Sequence, residues 1–127
     1  MTNFAIMDGQ YPVSLGASDR VPEGAMLLPD GVDVAIYATK WLVEGVWVAR
    51  PEISAPTVTQ TVDGWMVSYA APDGSVCDVM DRDLGWLDRV AAAGGSIQFV
   101  LADAGPYQIE VTAPRPWLGR TDNLVLA

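Results

Sequence analysis

The sequence contains no histidine and only one cysteine among its 127 residues. Without histidine, no mechanism that needs an imidazole base or an imidazole metal ligand is available. The lone thiol, Cys77, cannot form a disulfide within the chain. The chain therefore lacks the disulfides that usually stabilise small secreted domains. Residues 70–81 contain no lysine or arginine that would activate this thiol. We therefore expect Cys77 to be a small core side chain rather than a nucleophile.

Positive charge and long apolar segments are also scarce. The chain has seven basic and 16 acidic residues, so its formal net charge is −9. Nucleic acids and anionic membranes attract proteins with a basic surface, so neither is an expected partner. No segment approaches the ~20 consecutive apolar residues that span a bilayer. The first eight residues lack the basic region and apolar run of a signal peptide. We expect neither membrane insertion nor a targeting segment.

Glycine and proline, with 12 and 9 residues, separate short runs of β-branched and aromatic residues. This pattern is typical of a mainly β protein with many turns. Asp8-Gly9 and Glu44-Gly45 each lie between apolar runs and predict two tight hairpins. Pro12 cannot donate a ladder hydrogen bond, so its strand should form an edge. Residues 32–39 fit both a strand and a short helical turn, and we favour the helical turn because Asp33 can cap it.

The chain is predicted to divide near residue 54, because residues 50–56 are extended and bounded by prolines. Residues 1–54 would be a hairpin-rich attachment segment, and residues 55–127 a β-sandwich domain. In the second part, residues 65–70 and 107–112 alternate apolar and polar side chains, and residues 86–90 favour a strand over a helix. Strands every 8–12 residues with turns between them predict a sandwich or a barrel.

One acidic cluster suggests a metal site: Asp78, Asp81, Asp83 and Asp88. Calcium requires six to eight oxygen ligands, and residues 81–92 begin like a calcium-binding loop. Gly85 and Ala92 stand where that loop needs oxygen ligands, so we favour a solvated acidic loop and predict no metal.

Other catalytic patterns are missing from the sequence. There is no Gly-x-Ser-x-Gly turn and no glycine-rich phosphate loop with a lysine, and no spacing selects a pair of carboxylates. We therefore predict that the protein is not an enzyme and has no cofactor.

The chain has five tryptophans, which are Trp41, Trp47, Trp65, Trp86 and Trp117. An exposed indole face can stack on a sugar, but packing in the core or between subunits is the favoured interpretation. Trp41 and Trp47 are expected to stack across the second hairpin. Trp117 lies outside any evident strand and is the best candidate for a subunit contact. We predict Tyr11, Trp41, Trp47 and Trp117 as interaction residues.

Two resemblances refine these expectations. Residues 94–101, followed by Asp103-Ala104-Gly105-Pro106-Tyr107, resemble the end of Ig-like and carboxypeptidase-regulatory-like β-sandwich modules. In such modules the glycine makes the turn and the tyrosine buries its ring near the sandwich edge. The resemblance implies a small Ig-like antiparallel β-sandwich after the hairpin-rich segment, and implies a fold class rather than a function.

The first 50 residues are similar to small virion proteins from the tail gene clusters of bacteriophages. This similarity is carried by residues 5–13, 21–25, 28–34 and 42–51. It implies a non-enzymatic structural or accessory component of a phage virion, located in the tail, tail tip or tail fibre and assembled in the host cytoplasm. The expected partners are tail or fibre subunits, in a homo-oligomer or a multicopy assembly.

Two alternatives remain open. One is a head decoration protein that binds the major capsid protein, and the other is a glycan- or receptor-binding module at a fibre tip.

Overall fold

The computed structural model describes all residues, Met1–Ala127, and has a mainly β fold with antiparallel sheets, as predicted from the sequence. The chain divides into two compact units, Met1–Arg50 and Pro51–Ala127. The boundary that the sequence suggested, at residue 54, lies slightly later in the chain.

The first unit contains a three-stranded sheet, a two-stranded hairpin and one short helix. Its elements are β1 (Thr2–Asp8), β2 (Tyr11–Ser18), β3 (Met26–Leu27), the 3₁₀-helix Val34–Thr39, β4 (Lys40–Val43) and β5 (Val46–Ala49). The strand order of the sheet is β2-β1-β3, and β4 pairs with β5.

The first hairpin forms where the sequence predicts it, but its turn begins one residue later. Asp8 still pairs with Tyr11, so Gly9 and Gln10 make the turn. Gly9 has a φ of 59°, a conformation that glycine adopts without steric cost. Strand β2, which contains Pro12, lies at the edge of the sheet as expected.

Residues 34–39 form the helical turn that we favoured over a strand. Asp33 caps it, because its Oδ1 accepts a hydrogen bond of 3.0 Å from the backbone N–H of Ala35. The predicted β4–β5 hairpin is also present. Glu44 and Gly45 have φ values of 50° and 78°, as a two-residue hairpin turn requires.

The second unit has seven strands in two sheets. They are β6 (Thr57–Thr61), β7 (Gly64–Ala70), β8 (Val76–Asp81), β9 (Gly85–Ala91), β10 (Ser96–Leu101), β11 (Gly105–Thr112) and β12 (Arg120–Leu126). One sheet has the order β6-β7-β10 and the other the order β9-β8-β11-β12. The chain therefore changes sheet after β7, after β9 and after β10, which gives a sandwich-like arrangement.

A single core lies between these two sheets. Buried side chains of both sheets form one cluster: Ile53, Val67, Tyr69, Ala71, Cys77, Val79, Ile97, Leu101, Tyr107, Ile109, Val111 and Leu126. The alternation of residues 65–70 and 107–112 is confirmed, since every second side chain in each segment faces this core. Cys77 is fully buried, as expected, and burial raises the pKa of its thiol to about 12.

A polar bridge crosses the core from β7 to β12. The hydroxyl of Tyr69 donates a hydrogen bond of 2.8 Å to Oδ2 of Asp122. Arg120 donates from Nε to the same oxygen, also at 2.8 Å, and from Nη1 to the Ile53 carbonyl at 3.2 Å. Burial works against ionisation of Asp122, but the hydrogen bonds from Arg120 and Tyr69 outweigh it and lower the pKa of the carboxyl group. The bridge therefore ties the two sheets together through a charged carboxylate.

A second tyrosine secures the turn before β11. Tyr107 is buried, and its hydroxyl donates a hydrogen bond of 2.8 Å to the backbone carbonyl of Asp103. Gly105, between them, has a φ of 147°, which favours glycine. The Asp-x-Gly-x-Tyr segment therefore forms a turn that is closed by the tyrosine hydroxyl.

The core of the first unit is much smaller. Its buried apolar side chains are Ala5, Leu28 and Tyr37, with Met7, Leu15, Val34 and Trp47 packed around them. Asn3 is also buried, and its Nδ2 donates to the carbonyls of Pro29 and Val32 at 2.9 Å each. This side-chain amide holds the loop before the helix against β1.

Candidate functional site

The aromatic residues of the first unit meet where β2 begins and β4 runs beside it. The backbone N–H of Leu42 donates to the Gln10 carbonyl at 2.9 Å, and Nε2 of Gln10 donates to the Leu42 carbonyl at 2.7 Å. These bonds bring the adjacent residues Tyr11 and Trp41 together. Their rings stack with centroids 5.6 Å apart and an angle of 10° between the planes. The Arg50 guanidinium lies 5.3 Å from the Tyr11 ring centroid, within cation–π distance.

The expected stacking of Trp41 on Trp47 is wrong. In the β4–β5 ladder Trp41 pairs with Val48, and Leu42 pairs with Trp47. Directly paired residues share a face of a hairpin, so the two indoles project to opposite faces. Trp47 instead packs on Tyr37, with ring centroids 4.9 Å apart and planes 59° apart. Because Tyr37 is part of the small core, Trp47 contributes to packing within the first unit.

Trp117 lies in the second unit and packs against its core. The ring also borders a shallow apolar depression with Ala70, Ala71, Pro72 and Gly95. Its backbone N–H donates to the Pro114 carbonyl at 3.0 Å, which fixes the turn that carries the ring. The predicted subunit contact at Trp117 stays a prediction.

The aspartates of the suggested calcium loop do not converge. Asp78 forms an ion pair with Arg89, with 2.8 Å between Oδ1 and Nε. Oδ1 of Asp81 accepts hydrogen bonds from the backbone N–H groups of Asp83 and Leu84, so it organises the β8–β9 turn. The structure contains no group of three or more acidic or cysteine side chains placed to hold a metal ion.

A cavity of about 200 Å³ opens between strands β9 and β10. Its apolar wall includes Leu87, Phe99 and Leu101, and Asp88 and Asp103 also line it. Tyr107 borders the cavity as well, and its pKa is raised by burial and by the nearby charges of Asp81 and Asp103.

The most exposed tryptophan is one that the sequence analysis did not select. Trp86 on β9 is 61% exposed, whereas the other four indoles are at least half-buried. Its pairing partner, Met80, lies next to the buried Val79, so both Met80 and Trp86 face away from the core. Strand alternation could have indicated this orientation only with the correct register. A bulge in the β8–β9 ladder shifts that register between Val79 and Met80.

An ion pair lies on the same face of the sheet as Trp86. The Arg89 guanidinium lowers the pKa of Asp78, and a hydrogen bond from the Trp86 side chain acts in the same direction. Asp78 therefore binds Arg89 of β9 from the neighbouring strand.

Comparisons with known proteins add no relative: no family model, no curated protein and no solved structure matches this chain. No helix of the structure has the length and apolar character needed to cross a membrane.

Proposed function

We propose that this chain is a non-enzymatic structural or accessory component of a bacteriophage virion. It would reside in the tail, tail tip or tail fibre and dock on other virion proteins through the unit Met1–Arg50. The observation that carries the proposal is the imbalance of that unit. It buries three apolar side chains, yet eight large apolar side chains are exposed. A 50-residue unit with so small a core gains stability when a partner covers apolar surface.

The outer face of the first sheet offers such a surface, formed by Phe4, Ile6 and Leu27. Because Asn3 and Ala5 are buried on the other side of β1, Phe4 and Ile6 point outward. Leu27 pairs with Phe4 across β3 and is 64% exposed. Covering an exposed leucine side chain completely contributes roughly 1.5–3 kcal/mol. A partner seated on this face would stabilise the first unit by mass action.

The second unit would act as a rigid Ig-like spacer. Three features support this assignment: seven strands split three and four between two sheets, a core between the sheets, and the Tyr107 hydroxyl bonded to the Asp103 carbonyl. A tyrosine near the start of a strand that bonds backwards to the main chain is the tyrosine corner of Ig-like sandwiches. The second unit has ten acidic and four basic residues, so it would present a strongly negative surface.

The copy number of the chain in particles tests the location. Repeated copies on a symmetric particle compensate by avidity for a small interface per copy. We expect purified particles from the phage that encodes this chain to contain a few to a few dozen copies, measured by quantitative mass spectrometry. Copies on the order of hundreds would instead support the head decoration alternative. Complete absence from the particles would contradict a virion role.

Substitution of the docking face tests the attachment. We expect Leu27→Asp to prevent incorporation into particles, because it places a charge in the proposed apolar contact. The matched control is Val125→Asp, since Val125 is 75% exposed but lies on β12 of the second unit. Circular dichroism of both purified variants checks that each one still folds. Equal incorporation of the two variants would contradict docking through this face.

A further inference from the structure

We propose that the outer face of the four-stranded sheet in the second unit binds a neutral oligosaccharide, with Trp86 as the stacking platform. In the ladders Trp86 pairs with Met80, Met80 with Gln108, and Gln108 with Asn123. Paired residues share a face, so these four side chains form one row across the sheet, the Trp86 row. The buried neighbours Val79 and Ile109 place the row on the side away from the core.

The indole of Trp86 is largely exposed. Tryptophans in proteins are highly buried on average, so an indole that is 61% exposed on a strand is unusual. On the same face of the sheet, the Asp78 carboxylate binds Nε and Nη2 of Arg89 at 2.8 and 3.4 Å. An indole has few side-chain torsions, so it loses little conformational freedom when a ligand stacks on it.

Polar side chains occupy the same face of the sheet on β11 and β12. A second row, parallel to the first, pairs Arg89 with Asp78, Asp78 with Glu110, and Glu110 with Thr121. The amides of Gln108 and Asn123 and the hydroxyl of Thr121 supply both donors and acceptors. An aromatic ring that shares an open face with a few such groups is the composition of a site for a hydroxyl-rich ligand with apolar C–H faces.

The dimensions of the face agree with an oligosaccharide. Neighbouring strands lie about 4.8 Å apart, so the three intervals from Trp86 to Asn123 cover about 14 Å. That length accommodates a short chain of sugar rings lying across the strands, one on the indole and the others over Gln108 and Asn123. Because this surface is an open sheet rather than a deep pocket, we expect dissociation constants on the order of 0.1–1 mM for a short oligosaccharide.

The charge of the face selects a neutral ligand. Asp78 and Arg89 neutralise each other in an ion pair, which leaves Glu110 as the remaining charge in the two rows. The chain as a whole carries a formal charge of −9. Sulfated or uronic-acid glycans would meet a repulsive potential, whereas uncharged sugars would not. This proposal concerns the second unit, so it does not depend on the docking face of the first.

Calorimetric titration of the full-length chain tests the site. The probes are neutral hexasaccharides of β-1,4-glucose, α-1,4-glucose, β-1,4-mannose and β-1,4-N-acetylglucosamine, with a sulfated heparin hexasaccharide as the anionic comparison. We expect at least one neutral probe to bind and the sulfated probe not to bind. Trp86→Ala should weaken that binding by about tenfold or more, because it removes the stacking surface.

The control variant is Leu87→Ala. Leu87 is adjacent on β9 and also exposed, but its side chain lines the cavity between β9 and β10 rather than the Trp86 row. It should leave the affinity unchanged, whereas Gln108→Leu should reduce it by removing an amide. Three results would overturn the proposal: no neutral probe binds at millimolar concentration, Trp86→Ala binds as tightly as the parent chain, or only the sulfated probe binds. Self-association that is lost in Trp86→Ala, without sugar binding, would identify the face as a protein interface instead.

Discussion

Gly64 begins β7 at the point where the backbone of β10 ends against it, and its replacement by alanine tests how closely the chain is packed there. An added Cβ would overlap the carbonyl oxygen of Leu101 and lie 2.8 Å from Cα of Ala102. Both neighbours are main-chain atoms, so neither can rotate away. Gly64 also has a φ of 133°, a conformation that side chains of L residues rarely adopt.

Two terms set the size of the effect. A non-glycine residue held in a sparsely populated backbone region costs about 1–3 kcal/mol. Overpacking against atoms that cannot move costs about another 1–3 kcal/mol. For a domain of this size each kcal/mol lowers Tm by about 4–8 °C. We therefore expect Gly64→Ala to lower the Tm of the second unit by about 10 °C or more.

Gly85→Ala is the matched control, because Gly85 has a φ of 99° but no atom lies within 4 Å of the position that an alanine Cβ would occupy. It should show only the conformational term, and so a smaller loss. Thermal unfolding of the full chain, followed by circular dichroism and calorimetry, measures both variants. Equal Tm values for Gly64→Ala and Gly85→Ala would refute the close approach of β10 to Gly64.

The polar bridge and the buried thiol lead to three further predictions. Tyr69→Phe should lower the free energy of unfolding by about 1.5–3 kcal/mol, since it removes a hydrogen bond to a charged carboxylate. Tyr107→Phe should lower it by only about 0.5–1.5 kcal/mol, since the lost acceptor is a neutral carbonyl. Urea denaturation compares the two variants, and a larger loss for Tyr107→Phe would contradict this ranking. Because the pKa of Asp122 is lowered in the folded chain, its contribution to stability is complete above the pKa of the unfolded chain, about 4, and is lost as the pH falls through the folded pKa. Asp122→Asn should therefore flatten the acid limb of the stability–pH curve. An unchanged acid limb would argue against the bridge. Cys77, with its pKa raised to about 12, should react with a thiol reagent at about pH 8 only as fast as the second unit unfolds, and rapid labelling of the folded chain would contradict its burial.

The hairpins and the inward-facing strands could be predicted because their causes are local. Glycine at a turn permits a positive φ, and alternation along a strand follows from its two-residue period. Cys77 could be predicted as a core side chain because a free cysteine without a basic neighbour in the sequence packs as a small apolar residue. The edge position of Pro12 could also be predicted, since it depends only on the missing N–H.

The candidate sites could not be predicted in the same way. Trp41 and Trp47 both lie in one hairpin, but their faces depend on the register that the Glu44-Gly45 turn imposes. The outward orientation of Trp86 could not be predicted, because it depends on a bulge between the Val79 and Met80 pairs, and a single extra residue reverses which side chains face the core. The sequence pattern groups Asp78 with an acidic loop, and the strand pairing shows that it lies on β8 and binds Arg89 of β9.

The class of fold, the positions of the tight turns and the alternation into the core follow from the conformational preferences of neighbouring residues, so local sequence was enough to predict them. Three other features depend on the folded chain: which strands share a sheet, how Tyr69 reaches Asp122 across the core, and which tryptophan stays exposed. These features join residues far apart in the chain. Their geometry is set by strand register and by packing between sheets, which no short segment of sequence contains.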